Sequence, residues 1–452
     1  MSMLRRWAMR PSLLLLRVML AYIALGLVIA LCRIFLPELE LTSPLVMLWY
    51  YSLAALVVLI IFDALRKPNA NMFEAERVLP QSFALNRAQN IRFNLINQSD
   101  RILNISINDA PPRFFETSEF PLRGQLAANT KTVFEYTAIP KRRGQSSFEP
   151  AYALATSRFG LWDWIYRLGE SQEVKVFPDF SAVSNSFVFG IEQAMRNMGA
   201  HIAKRRGDGM EFNQLREFRE GDTLKQIDWK ATARSGSPIS REYQEEKDQN
   251  IIFLLDSSRR MRALENNLSY FDYALNALLM TSYIALDKGD AVGVMAFSGE
   301  PSWLPPVKGK SSVNILLNHL YDLHTSTQSS DYVAAAEELM VRHRKRSLVV
   351  LLSNLRDEDK TDLLQAVEIL SRNHLVMVVG LREQLLQSSQ SIGADKQDDL
   401  LLYGGVKHFE HGRARLLALL KAKGVSIVDA HNKNLHIQLT NEYLRLKRIG
   451  RI

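Results

Sequence analysis

The chain has 452 residues, of which 47% are hydrophobic and 23% charged, so it is long enough for about three domains with cores of their own. This composition excludes a wholly disordered protein. The single cysteine, Cys32, excludes an intramolecular disulfide and a cysteine-rich metal site. The net charge of +8 is compatible with an anionic membrane or with nucleic acid as a partner, so its distribution along the chain matters.

Two long apolar segments stand near the N terminus. Leu13 to Leu36 is interrupted only by Arg17 and Arg33, and Leu45 to Phe62 carries no charge. Each approaches the roughly 20 residues that cross a bilayer as a helix. The alternatives are a cleaved signal peptide followed by a buried helix, or an apolar hairpin inside a soluble protein. The first segment lacks a small-residue cleavage site and the second lacks a polar stripe, so we predict a transmembrane hairpin over residues 1–68.

The charges beside these segments predict an orientation. Basic residues precede or enter the first span (Arg5, Arg6, Arg10 and Arg17) and follow the second (Arg66 and Lys67). The short connection between the spans has one arginine and two glutamates, Arg33, Glu38 and Glu40. The positive-inside rule then places both ends in the cytoplasm of a multi-pass inner-membrane protein. Everything after about Asp63 is expected to be cytosolic, which agrees with the absence of cysteine there.

Residues 72–178 have the pattern of an antiparallel β-sandwich. Strand-forming residues alternate with polar ones over Asn90 to Ile96, Arg101 to Ile107 and Thr132 to Tyr136, with turn residues between these runs. Nothing in this stretch has a catalytic pattern, and we interpret it as a spacer or binding module.

Residues 179–249 are rich in charge and glycine. Lys204-Arg205-Arg206 is predicted to lie in an exposed loop. The positive charge of this triplet is offset by the nearby acidic residues Asp208, Glu211, Glu217 and Glu220. No nucleic-acid-binding motif accompanies it, so nucleic acid is not an expected partner.

Residues 250–452 alternate apolar strands with helices. The predicted strands are Ile251–Leu255, Ala291–Phe297, Ser347–Leu352, Leu375–Val379 and Val425–Val428. The predicted helices are Phe271–Leu286, Val313–Leu323, one capped by Asp331 that reaches Arg342, Asp359–Arg372, Leu416–Lys423 and Asn441–Lys447, with a polar insertion over Gln384–Asp399. Uniformly apolar strands indicate a parallel, doubly wound sheet with helices on both faces, whose ligands bind at the carboxyl ends of the strands.

The end of the first of these strands resembles a von Willebrand factor A domain, whose metal site has the pattern Asp-x-Ser-x-Ser plus a threonine and an aspartate from later loops. Asp256 and Ser258 match, but Arg260 stands at the last serine, Asn354 at the aspartate, and Ser330 is the nearest candidate for the threonine. One carboxylate fewer and one guanidinium more make the site about two charges more positive. We therefore expect no cofactor, with Mg²⁺ disfavoured by Arg260 and Asn354.

Two interpretations of Arg260 stay open at this point. In the first, its guanidinium pairs with Asp256 and replaces the charge of the metal. In the second, Arg260 points to solvent and the site is vestigial.

A second pattern extends the resemblance over nearly the whole chain. It consists of Gly209 to Phe218 and of Gly221-Asp222 through Ile227-Asp228-Trp229 to Arg234, preceded by Ser157 to Trp162 and Val174 to Pro178. It is similar to a prokaryotic family of membrane-anchored von Willebrand A-like proteins associated with MoxR-type AAA+ ATPases and long catalogued as a domain of unknown function. The candidate residues of this signature segment are Glu211, Arg216, Gly221, Asp222, Asp228, Trp229 and Arg234.

The signature segment has two interpretations. In the structural one, which is favoured because charge-paired structural motifs are commoner than new active sites, Trp229 packs under the sheet while Asp222 and Arg234 pair. In the functional one, Asp222, Asp228 and Arg234 form a partner-binding or catalytic surface.

The resemblance implies a non-enzymatic, cytosol-facing adaptor that binds a MoxR-like ATPase and client proteins. The alternatives are a metal-dependent enzyme acting at the carboxyl ends of the strands and a passive envelope scaffold.

Overall fold

The computed structural model describes residues 5–35, 42–65, 73–99, 102–118, 120–179, 211–219, 222, 224–244, 249–383 and 397–451. The chain divides into two compact units, Met1–Val176 and Phe177–Ile452. The finer boundaries expected from the sequence, at 72–178, 179–249 and 250–452, stay predictions. Lys204–Arg206 and the polar residues 384–396 lie outside the described residues.

The first unit begins with two apolar helices, α1 (Leu13–Phe35) and α2 (Thr42–Leu65). They have 23 and 24 residues, so each is roughly 35 Å long, enough to cross a hydrocarbon core. Only 6% of the apolar window of α1 and 0% of that of α2 is buried in the protein. Core helices of soluble proteins bury an apolar face, so this exposure favours the predicted membrane hairpin.

The rest of this unit consists of strands. They are β1 (Arg5–Pro11), β2 (Phe73–Val78), β3 (Phe83–Ala84), β4 (Gln89–Asn97), β5 (Leu103–Ala110), β6 (Phe115–Thr117), β7 (Leu122–Leu126), β8 (Lys131–Pro140), β9 (Gly144–Thr156), β10 (Trp162–Leu168) and β11 (Gln172–Phe177). One sheet has the order β1-β10-β9-β11-β3, with β5 joining β9 to β7, and the other has the order β2-β4-β8-β6. Phe115 of the second sheet packs edge-on against Phe83 and Phe148 of the first, at 5.2 Å between ring centroids. The predicted two-sheet β architecture is thus present.

Strand β1 was not predicted, because it precedes the first apolar helix and has no alternating pattern. It pairs with β10 in the same sheet as the later strands. The turn between β9 and β10 also holds both helices: Ser12 Oγ, at the start of α1, donates to the Gly160 carbonyl, and Trp162 Nε1 donates to the Ile60 carbonyl of α2. Ser157 Oγ donates to the buried Asp63 near the end of α2 at 2.5 Å. Both ends of the helical hairpin therefore lie on the same side of any bilayer that it spans.

A buried ion pair joins the two sheets. Arg77 Nη1 of β2 donates to Asp109 Oδ1 of β5 at 2.7 Å, and the side chains are 5% and 0% exposed. Tyr136 donates to the other oxygen of Asp109, and Arg77 also donates to the carbonyls of Phe148 and Glu149. The charges are thus matched and hydrogen-bonded, which is what burial of an ion pair requires.

The second unit contains all remaining elements. Its strands are β12 (Glu211–Glu217), β13 (Ile239–Gln244), β14 (Asn250–Asp256), β15 (Leu264–Glu265), β16 (Leu268–Ser269), β17 (Ala291–Phe297), β18 (Ser302–Lys308), β19 (Leu348–Ser353), β20 (Leu375–Arg382) and β21 (Ser426–His431). Its helices are α3 (Trp229–Ser235), α4 (Tyr270–Asp287), α5 (Val313–Leu320), α6 (Tyr332–Arg342), α7 (Lys360–Ser371), α8 (Gln397–Ala422) and α9 (Leu435–Arg448).

Six strands form the central sheet in the order β18-β17-β14-β19-β20-β21. All neighbours are parallel except β18, which is antiparallel to β17. Alternate residues of β14 enter two different cores: Phe253 packs with α4, α5 and α9, and Leu254 packs with α6, α7 and α8. The predicted doubly wound α/β architecture is confirmed, because each central strand is buried on both faces.

Strand β18 was missed by the sequence analysis. It contains Pro305 and Pro306, which cannot donate to a sheet and are tolerated here because β18 is an edge strand. Gly293 of the neighbouring strand permits this pairing, since a Cβ there would lie 3.0 Å from the Leu304 carbonyl oxygen.

Helix α6 begins after Asp331, whose side chain accepts from the Ala334 amide as predicted for an N-cap. Helix α8 is much longer than the predicted Leu416–Lys423, and its first residues, 397–399, belong to what was expected to be a polar insertion.

Candidate functional site

The carboxyl ends of the parallel strands gather a cluster of hydroxyls around Asp256. The Asp256 carboxylate is 0% exposed and accepts three hydrogen bonds. Oδ1 accepts from the Ser258 amide at 2.9 Å, and Oδ2 accepts from Ser330 Oγ at 2.8 Å and from Ser353 Oγ at 2.6 Å. Ser330 Oγ lies 3.0 Å from Ser258 Oγ. The structure thus brings together three predicted site residues and adds Ser353, which sequence reasoning left out although it ends strand β19.

Arg260 does not pair with Asp256, and it does not point to solvent. Its guanidinium pairs with Asp359 and donates to Glu358 at 3.1 Å, and its side chain is 18% exposed. The predicted pairing with Asp256 and the predicted solvent orientation are therefore both wrong, while the vestigial character of the site stays a prediction. The physical reason is that the oxygens of Asp256 are occupied by amide and hydroxyl donors, whereas the acidic residues before α7 offer partly hydrated carboxylates to the same strand end.

This pairing also changes the expected charge of the site. The positive charge of Arg260 is balanced by two carboxylates, so Arg260 does not add the one positive charge that was expected from it. The acidic residues Asp357, Glu358 and Asp359 precede α7, but no side chain caps that helix, because Asp359 contacts Arg260 instead.

Asn354 belongs to a neighbouring cluster. Its Nδ2 donates to Glu383 Oε1 at 3.1 Å, and Arg356 donates to the same oxygen. The Asn354 side chain makes no hydrogen bond to Asp256, and its Oδ1 is buried without a hydrogen-bond partner among the described residues. The five predicted residues thus separate into three groups: Asp256 with Ser258 and Ser330, Arg260 with Asp359, and Asn354 with Glu383.

Burial raises the pKa of Asp256, and the hydrogen bonds from Ser353, Ser258 and Ser330 only partly oppose this effect. A raised pKa means that the folded state binds this proton more tightly than the unfolded chain does. The stability that Asp256 gains from this tighter proton binding is fully present below the unfolded pKa of about 3.9. It is lost as the pH rises through the pKa of Asp256 in the folded protein.

We expect Asp256→Asn to raise the thermal midpoint of the full-length protein at alkaline pH and to have little effect near pH 4, because it removes a buried charge and keeps the shape. Thermal unfolding in detergent across this pH range measures the difference. The exposed Glu300→Gln is the control and should give a pH-independent difference above about pH 5. An Asp256→Asn effect that does not grow with pH contradicts the assignment.

The cluster around Asp256 has fewer carboxylates than the metal-site pattern that it resembles. Mg²⁺ prefers six oxygens with one or more carboxylates. The cluster has one carboxyl group, whose raised pKa opposes the ionised form that a cation needs. Across the described ranges, no group of three or more His, Cys, Asp or Glu side chains is placed to hold a metal ion. The expected absence of magnesium stays a prediction.

The signature segment folds into a small unit of two antiparallel strands, β12 and β13, with α3 between them. Asp222 accepts two hydrogen bonds of 2.7 Å from the guanidinium of Arg216, and one of 2.9 Å from the Arg219 amide. The hydrogen bonds from Arg216, which have the largest effect, and the one from the Arg219 amide hold the pKa of Asp222 below its usual range. The predicted pairing of Asp222 with Arg234 is wrong, because Arg216 lies across the turn and presents both nitrogens.

Asp228 fixes the start of α3. Its Oδ1 accepts from the amides of Lys230 and Ala231 at 3.0 Å, and its Oδ2 accepts from Arg241 Nε of β13 at 3.0 Å. The amide of Ala231 and the guanidinium of Arg241 lower the pKa of Asp228. The helix therefore has a fixed N-cap and is tied to the neighbouring strand.

Trp229 does not pack under the sheet as expected. It is the first residue of α3 and is 70% exposed, and the nearby Leu224 is 74% exposed. Arg234 is exposed in the last turn of α3. Glu211 begins β12, and Gly221 lies outside the described residues. We call Trp229, Leu224 and the pairs Arg216–Asp222 and Asp228–Arg241 the signature surface.

One family model matches part of the chain. Residues 214–394 match the model of a family described as a protein of unknown function, DUF58, so the match includes the signature surface and the hydroxyl cluster around Asp256. No curated protein matches the chain significantly.

Solved structures give only distant similarities. Alpha-2-macroglobulin from Escherichia coli is 15% identical, over 23% of this chain and 9% of that one, with a TM-score of 0.18. An aerotolerance-related membrane protein from Bacteroides fragilis is 15% identical, over 45% and 100%, with a TM-score of 0.29. Proximal thread matrix protein 1 from the mussel byssus is 11% identical, over 45% and 46%, with a TM-score of 0.25. The chain spans under a tenth of the first of these, and scores this low carry no argument about fold or function.

Proposed function

We propose that the protein is a membrane-anchored adaptor that binds a MoxR-type AAA+ ATPase through the signature surface and presents client proteins to it. The exposure of Trp229 is the observation that carries this proposal. Tryptophan buries a large area at low entropic cost and is enriched among the residues that dominate binding energy. Two ion pairs and an N-cap hold it in place before binding, which lowers the ordering cost of association.

The α/β domain is proposed to be of the von Willebrand A type. The support is a parallel sheet whose first strand, β14, ends in Asp256-Ser257-Ser258 with a third hydroxyl from Ser330 beside it. We further propose that both units are cytosolic at the inner membrane. The support is the same-side arrangement of the two helix ends together with the basic residues that flank them, Arg5, Arg6, Arg10, Arg66 and Lys67.

We propose that the hydroxyl cluster works without magnesium and stabilises the strand ends. The support is that both oxygens of Asp256 accept hydrogen bonds from within the cluster, from the amide of Ser258 and from the hydroxyls of Ser330 and Ser353. If so, Mg²⁺ at millimolar concentration should not raise the thermal midpoint of the full-length protein. Tight stoichiometric binding that Asp256→Ala abolishes would support the alternative of a metal-dependent enzyme.

Purification of the full-length protein from detergent-solubilised membranes, followed by mass spectrometry, separates three functions. An adaptor should co-purify with an AAA+ ATPase and change its rate of ATP hydrolysis. An enzyme should turn over a substrate only with Asp256 and a bound metal. A passive scaffold should do neither. An unrelated two-span membrane protein carrying the same tag is the control, and recovery of the ATPase in equal amount with that control contradicts the proposal.

A further inference from the structure

Three neighbouring strands of the central sheet begin at the same edge. Strands β19, β20 and β21 are parallel, so their amino ends and the loops that enter them from α6, α7 and α8 lie side by side. This edge is opposite to the one that holds Asp256. Basic side chains cluster in these loops and in the last turn of α8: Arg344, Lys345, Arg346, Arg372 and Lys421. We call these five residues the basic edge.

The cations of the basic edge are exposed, and none has an ion-pair partner among the described residues. Other cations near these loops are balanced, since Arg342 pairs with Glu338 and Lys423 with Glu368. At the opposite edge most arginines are also paired with carboxylates, as Arg260, Arg356 and Arg413 are. The basic edge thus holds five exposed cations with no ion-pair partner among the described residues, at one end of three neighbouring strands.

An exposed aliphatic side chain lies beside these charges. Val341, one residue before the end of α6, is 75% exposed. Basic side chains around exposed aliphatic ones are typical of surfaces that rest on a bilayer, because lysine and arginine contact anionic headgroups while the apolar group enters the interface.

We propose that the basic edge docks the α/β domain on an anionic lipid surface. The same chain carries two helices long and apolar enough to cross a membrane, so docking on that membrane would be an intramolecular event. Positive charge of this density attracts phosphatidylglycerol-type headgroups within about a Debye length. The inference goes beyond the adaptor function, since it concerns a different edge of the domain and does not require an ATPase.

The test uses the full-length protein in lipid nanodiscs. In a Cys32→Ser background, Asn373→Cys places a single fluorophore at the basic edge, and a headgroup-linked quencher reports its distance from the bilayer. We expect strong quenching in discs rich in phosphatidylglycerol and weak quenching in phosphatidylcholine discs. Quenching should decrease between about 50 mM and about 500 mM salt, because salt screens exposed charges.

A matched pair of variants makes the result specific. R344Q/K345Q/R346Q should lower the ratio of docked to free protein by about tenfold or more, since each lost charge weakens headgroup attraction. R259Q/R262Q, at the opposite edge, should leave quenching unchanged.

Equal quenching in both lipids, or quenching that persists in the triple variant, would overturn the proposal. So would a response to added duplex DNA or RNA in place of phosphatidylglycerol, which would make nucleic acid the partner. Retention of the ATPase by the triple variant distinguishes this outcome from failure of the adaptor function.

Discussion

The full-length protein carrying Trp229→Ala should lose its AAA+ partner on purification while folding normally. Removing a central, exposed tryptophan from a protein interface typically costs about 2 kcal/mol or more, which weakens binding by roughly 30-fold. Because Trp229 begins α3 on the protein surface and is 70% exposed, its loss should change the free energy of unfolding very little. Quantitative mass spectrometry of the co-purified ATPase measures the first effect, and thermal unfolding measures the second.

Leu264→Ala is the matched control, because Leu264 is 71% exposed and lies outside the signature surface. It should retain the ATPase at the level of the unchanged protein. If Trp229→Ala also retains it, or if both substitutions reduce it equally, the signature surface is not the binding site.

Arg77→Met should strongly destabilise the two packed β-sheets of the first unit. It removes the cation that pairs with Asp109, which is 0% exposed, and it deprives the carbonyls of Phe148 and Glu149 of a donor. Breaking a buried ion pair by removing one partner costs about 3–5 kcal/mol, because the other charge stays buried and uncompensated. Hydrogen exchange at the amides of β2, β5 and β9 in the full-length protein should accelerate accordingly.

Arg92→Met provides the comparison in the same sheet. Arg92 pairs with Glu135, but the side chains are 58% and 44% exposed, so the pair is worth about 0–1 kcal/mol. Similar exchange rates in the two variants would show that the Arg77–Asp109 pair is not a major source of stability.

The sequence predicted the elements whose pattern depends on burial alone. The β14, β17 and β19 strands were found because they are apolar on both faces, and α6 because Asp331 is a recognisable N-cap. Strands β1 and β18 were missed because their assignment depends on what they pair with. The first adjoins β10 across more than 150 residues of sequence, and the second contains prolines tolerated only at an edge.

The partners of charged side chains were less predictable than the fold. Arg260 was correctly singled out as a departure from a metal site, but its partner Asp359 is 99 residues away, and nothing local indicates that pairing. Trp229 was wrongly predicted to pack under the sheet for a related reason. Tryptophan is usually at least partly buried, and nothing in the local sequence indicates that this one lies on the surface at the start of α3.

Site-specific photo-crosslinking from position 229 tests the adaptor function most directly. A photoreactive amino acid at this position in the full-length protein, in intact membranes, should form a covalent product with an AAA+ ATPase. The same amino acid at position 264 should not. Crosslinks from position 229 that contain no ATPase, or that match those from position 264, would contradict the account.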